Sequence, residues 1–126
     1  MTNPWVSLIS FFVWIGGSFC WAHALLLQSI PQDHAQLKTS PEKIVLRFNG
    51  QIEKKVSQIT LLDKQGKRIN LPQSATRFSA GKADSLEILI PKLDPGTYQL
   101  RYRILAMDGH TTPGLIHFSI SDKVSQ

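Results

Sequence analysis

Leu93-Asp94-Pro95-Gly96-Thr97-Tyr98-Gln99-Leu100-Arg101-Tyr102-Arg103-Ile104 is the stretch that decides the fold. Asp94-Pro95-Gly96 is a strong turn signal, because proline presets one backbone dihedral and glycine accepts positive φ. Beyond it, Tyr98, Leu100, Tyr102 and Ile104 alternate with Gln99, Arg101 and Arg103. That period of two places the apolar set on one face of a half-buried strand.

The same period recurs outward in both directions. Upstream, Ala24 to Gln28 reads as a first strand, broken by Ser29 to Asp33. Ile44, Leu46 and Phe48 mark a second, and Val56 to Leu62 a third. Asp63-Lys64-Gln65-Gly66 then reads as a hairpin turn into Lys67 to Leu71. Leu86, Ile88 and Ile90 supply the next strand, and Pro72 to Ala83 is a long polar loop. Downstream, Ile116, Phe118 and Ile120 define a last strand over Leu115 to Ser121. About seven short strands separated by turn signals predict an all-β chain, an immunoglobulin-like β-sandwich or Greek-key barrel. Tyr98, just past the Pro-Gly turn, has the place of a tyrosine corner, in which the phenol hydrogen-bonds back to the backbone.

The chain begins differently. Trp5 to Ile15 is an uncharged apolar run followed by Gly16, Gly17 and Ser18, the layout of a secretory leader. A membrane span needs about 20 apolar residues, more than this run supplies. Cys20 and Ala22 put small side chains three residues and one residue before the bond to His23, as a leader peptidase requires. The expectation is a signal peptide over residues 1–22 and one mature domain over 23–126, exported to the periplasm.

Cleavage there removes the only cysteine and all three tryptophans. The mature domain then has neither a disulfide nor a thiolate, and core packing alone must hold it. The 14 Lys and Arg and the nine acids all lie downstream, so the net charge stays +5. These charges are dispersed and do not form one dense block, which argues against nucleic-acid binding.

Metal chemistry is the distinctive content. As residue one of a processed chain, His23 offers an imidazole and a free α-amine, which ordinarily titrates at about 7.7 and lower beside a metal. In Met107-Asp108-Gly109-His110 the carboxylate and imidazole stand at i and i+2, on the same face if the backbone is extended. Gly109 between them lets the chain turn and approach an ion. Two imidazoles, an amine and a carboxylate suit copper(II), which heads the divalent affinity order. Zinc(II) accepts the same donors in a tetrahedron. The metal ligands expected are therefore His23, Asp108 and His110. Of the other candidates, His34 reads as a solvated loop histidine, His117 as a residue on the outer sheet face, and Met107 as a packing residue.

These residues together resemble the copper resistance CopC family of periplasmic copper-binding β-sandwiches. The resemblance rests on His23-Ala24-Leu25, Ser29-x-Pro31, Ile44-Val45-Leu46-Arg47-Phe48, Leu93-x-Pro95-Gly96-Thr97-Tyr98, and Tyr102-Arg103-Ile104 leading to Asp108-Gly109-His110, then Gly114 and Phe118. It implies one copper(II) ion held by His23, Asp108 and His110, with the His23 amine as a fourth donor. It also implies a CopD-like inner-membrane copper transporter as partner. Two departures stand out. Some members carry a methionine-rich copper(I) loop, whereas Asp63 to Ala83 contains no methionine, and some carry an acidic residue where this chain has Asn49-Gly50-Gln51.

The functional expectation is a monomeric, non-catalytic copper(II) carrier or buffer. Two other classes share features with it: a copper monooxygenase built on an N-terminal histidine, and a metal-independent immunoglobulin-like interaction module.

Overall fold

The computed structural model describes residues 24–72 and 82–122. The expected leader, His23 and most of the polar loop lie outside the described residues. Within them the strands are β1 (Leu26–Ile30), β2 (Ala35–Leu37), β3 (Lys43–Phe48), β4 (Gln58–Leu62), β5 (Arg68–Ile69), β6 (Ser85–Leu89), β7 (Gly96–Leu105) and β8 (Thr111–Ile120). They form two sheets, one of three strands in the order β1-β3-β6 and one of five in the order β2-β8-β7-β4-β5. The expected sandwich is what the chain forms. No helix among these residues is long and apolar enough to cross a membrane.

The core follows from the alternation. Ile44, Leu46 and Phe48 of β3, with Leu86 and Ile88 of β6, face Leu100, Ile104, Ile116 and Phe118 of the larger sheet, all essentially buried. Each such side chain contributes about 1.5–3 kcal/mol on leaving water. Phe48 meets Tyr102 edge-on across the two sheets, with ring centroids 5.8 Å apart and planes at 75°. Tyr98 stacks on its cross-strand neighbour Phe118 at 5.6 Å. The tyrosine corner is present, since the Tyr98 hydroxyl donates to the Asp94 carbonyl at 2.6 Å.

The Asp63 hairpin also forms as read. Its carboxylate accepts from the Gln65 and Lys67 amides at 2.9 Å, and Gly66 turns at φ 78. Glycine serves a different purpose at Gly114, directly across from Tyr102 in the β7–β8 pair. The Tyr102 ring lies over that glycine, in space a Cβ would need.

The strands differ from the sequence expectation in several places: β1 starts at Leu26 instead of Ala24, β5 is confined to Arg68–Ile69, and β8 starts at Thr111 instead of Leu115. β1 continues to Ile30, because Ser29 is buried and its hydroxyl is satisfied by the Pro31 carbonyl. The third expected strand starts later: Lys54–Val56 is a short 3₁₀ turn with Val56 exposed, and β4 begins at Gln58. β2 was not expected at all; it is a three-residue edge strand running parallel to β8, with Ala35 opposite Phe118.

Candidate metal centre

The Asp108–His110 segment closes the long β7–β8 hairpin. The Ala106 amide donates to the His110 carbonyl at 2.9 Å and the Gly109 amide to the Ala106 carbonyl at 3.0 Å, so the chain reverses over four residues. Gly109 sits at φ 89, where a Cβ would collide with its own backbone. Asp108 reinforces the reversal, its Oδ1 accepting from the His110 amide at 2.9 Å.

The two side chains therefore meet by a route other than the one expected. The backbone is a turn, not an extended strand end, and the Asx-type hydrogen bond brings His110 Nδ1 to 3.4 Å from Asp108 Oδ1. Asp108 is exposed and His110 half-buried. The same turn corrects the expectation for Met107, which is 59% exposed and does not pack into the core.

Segment 49–53 ties this turn to the start of the described chain. Asn49 holds Leu25 at both backbone groups: its Oδ1 accepts from the Leu25 amide at 2.8 Å, and its amide donates to the Leu25 carbonyl at 2.9 Å. Ala24 is buried against the core. Two residues further on, the Gln51 carbonyl accepts from the Met107 amide at 3.2 Å, and Ile52 bridges to Ala106. Each link spans one or two residues, at most about 3.6 Å apiece. Ala24, the neighbour of His23, is thus anchored at the Asp108–His110 end of the sandwich.

A second group of donors stands elsewhere. Asp33 and His34, in the turn between β1 and β2, lie against His117 of β8, with one ligand atom from each within 4.8 Å of the others. The two imidazoles stack, 5.0 Å between centroids and 5° between planes. Asp33 Oδ1 accepts from the His117 amide at 2.7 Å and lies 3.3 Å from His117 Nδ1, while its Oδ2 lies 3.4 Å from His34 Nε2. The hydrogen bond from the His117 amide, aided by the two rings, holds the Asp33 carboxyl below the usual carboxylate range against a smaller effect of burial. His117 does face outward as expected, and His34 is an exposed turn residue as expected, its ring stacked on that of His117. No local motif announces this group, because 84 residues separate Asp33 from His117.

The sequence profile of the CopC domain matches residues 26–121. The chain belongs to the CopC domain family. Protein YobA of Escherichia coli (strain K12) is 30% identical to this CopC-domain chain over 104 residues, covering 79% of the chain and 80% of YobA. Copper transport protein CutJ of Bacillus subtilis (strain 168) is 27% identical over 120 residues, 92% of this chain but only 21% of that longer protein. Copper resistance protein C of Xanthomonas campestris pv. juglandis is 27% identical over 111 residues, 84% of this chain and 86% of that one. Among solved structures, CopC from Methylosinus trichosporium OB3b superposes with a TM-score of 0.71 at 28% identity, over 82% of this chain and all of that one. The methionine-rich copper resistance protein PcoC of Escherichia coli does so at 0.67 and 26%, over 79% of this chain and all of that one. Unlike a methionine-rich protein, this CopC domain has two methionines in the whole sequence, of which Met107 alone follows residue 22.

Proposed function

We propose that this CopC-domain protein is a non-catalytic periplasmic carrier or buffer of copper(II), one ion per chain. Removal of residues 1–22 would free the His23 amine and complete a site made by that amine, the His23 imidazole, Asp108 and His110. The names of the copper transport and copper resistance relatives support the choice of cargo. A CopD-like inner-membrane transporter is the proposed acceptor.

The observation that carries the reading is the convergence of the Asp108–His110 turn and the Ala24 anchor on segment 49–53. Donors bound to one ion at 2.0–2.1 Å lie about 2.9 Å apart in a square arrangement and about 3.4 Å apart in a tetrahedron. The Asp108–His110 separation of 3.4 Å fits the larger spacing, and a small rotation of the half-buried His110 ring reaches the smaller. All the donors are nitrogen or oxygen, which favours copper(II) over copper(I) and disfavours cycling between them.

The test is a copper(II) titration of the chain beginning at His23, beside its His110→Ala and His117→Ala variants. His110→Ala should weaken the first equivalent by on the order of 100-fold or more, since loss of even a supporting residue around a metal costs about 10–100-fold. His117→Ala should leave that first equivalent unchanged. Equal effects of the two variants would sink the ligand assignment.

A further inference from the structure

We propose that Asp33, His34 and His117 form a second metal site, for a divalent cation of the zinc(II) type, separate from the one above. His117 stands seven residues along β8 from His110, roughly 24 Å at 3.4 Å per residue. The two sets of donors therefore cannot share an ion.

Two of the three donors are already placed. Asp33 is fixed by the 2.7 Å hydrogen bond from the His117 amide, and the turn is locked reciprocally by the His34 amide donating to the His117 carbonyl at 2.7 Å. The backbone thus carries the β1–β2 turn to one side of His117 and holds it there.

His34 is the adjustable arm. It is exposed, and its ring now lies parallel to that of His117, so the in-plane lone pairs of the two rings do not yet converge. Rotation about χ1 and χ2 closes the present spread of up to 4.8 Å to the roughly 3.4 Å edge of a zinc tetrahedron. A water fills the fourth position of such a site.

His34 sits at φ 63, in the left-handed region that histidine, like asparagine and aspartate, enters more readily than most residues with a Cβ, so the conformation suits the turn and it is the grouping of two imidazoles with a carboxylate that points to a cation.

The site does not depend on the copper reading, and its test is built to keep the two apart. Zinc sulfate is titrated into the chain beginning at His23 and carrying Asp108→Ala and His110→Ala, with the imidazole proton and nitrogen signals followed by NMR. One equivalent should bind and shift the signals of His34 and His117 in a common step. In the same background, His34→Asn, which keeps a residue tolerant of positive φ, should weaken zinc at least tenfold with the backbone amide spectrum preserved. His117→Gln should do the same. Saturation that leaves either imidazole signal in place, or variants that bind within twofold of their parent, would overturn the assignment and leave the cluster as a packing contact between the turn and β8.

Discussion

Gly114→Ala should be strongly destabilising, although in a strand interior this exchange ordinarily helps, since alanine restricts the unfolded chain more than glycine does. The reason is Tyr102. Its ring crosses from β7 over Gly114 and meets Phe48 of the opposite sheet, so an alanine methyl would fall inside the ring's present volume. Tyr102 must then swing away or the two sheets must part. Overpacking of this kind costs about 1–3 kcal/mol, and loss of the edge-on contact with Phe48 adds about 0.5–1.5 kcal/mol. The sum, about 1.5–4.5 kcal/mol, should lower the thermal midpoint of a domain of this size by at least about 6 °C, at about 4–8 °C per kcal/mol. The assay is thermal unfolding followed by circular dichroism, on Gly114→Ala, Tyr102→Leu and the double variant. Leucine does not reach across β8, so in the Tyr102→Leu background the alanine should cost less than about 1 kcal/mol, a coupling visible as non-additivity. An equal cost in both backgrounds, or a Gly114→Ala protein as stable as the parent, would refute the packing argument.

Tyr98→Phe deletes the donor to the Asp94 carbonyl and should cost about 0.5–1.5 kcal/mol, read as a lower unfolding midpoint in urea; unchanged stability would mean the corner bond is replaced by water. Tyr98 and Tyr102, the protein's two tyrosines, are both pushed above the ordinary value of 10.0, chiefly by burial and secondarily by nearby carboxylates. Their folded-state pKa is raised, so the stability they confer is complete below pH 10 and is lost as pH climbs through the higher folded value. Tyrosinate absorbance should therefore appear only above the ordinary range and together with loss of the β-sheet signal. A clean titration near pH 10 in the folded protein would contradict the burial of both phenols.

Whatever repeats locally was legible in the sequence. Ile44, Leu46 and Phe48, and Tyr98 through Ile104, announce themselves because each buried face needs an apolar residue at every second position. The tyrosine corner and the Asp63 hairpin were legible because turn and hydrogen-bonding side chain lie within a few residues of each other. β2 was not, since Ala35–Leu37 has too few residues for a period and is held in place by parallel pairing to a strand more than eighty residues later. At the candidate metal centre the residue types of Asp108 and His110 were readable but their geometry was not. The Asp108 carboxylate folds back on the His110 amide, which converts an expected strand end into a turn and leaves Met107 exposed. Asp33, His34 and His117 each looked ordinary alone, and only the crossing of the β1–β2 turn onto β8 makes them a group.

In the proposed copper(II) site, the free amine of His23 supplies the donor that completes coordination. The most direct test of that role is the paramagnetic spectrum and affinity of the copper(II)-loaded chain beginning at His23, compared with the same chain carrying one additional residue before it. The additional residue converts the amine to an amide, and the account predicts a changed spectrum together with a large loss of affinity. An unchanged spectrum and affinity would contradict it.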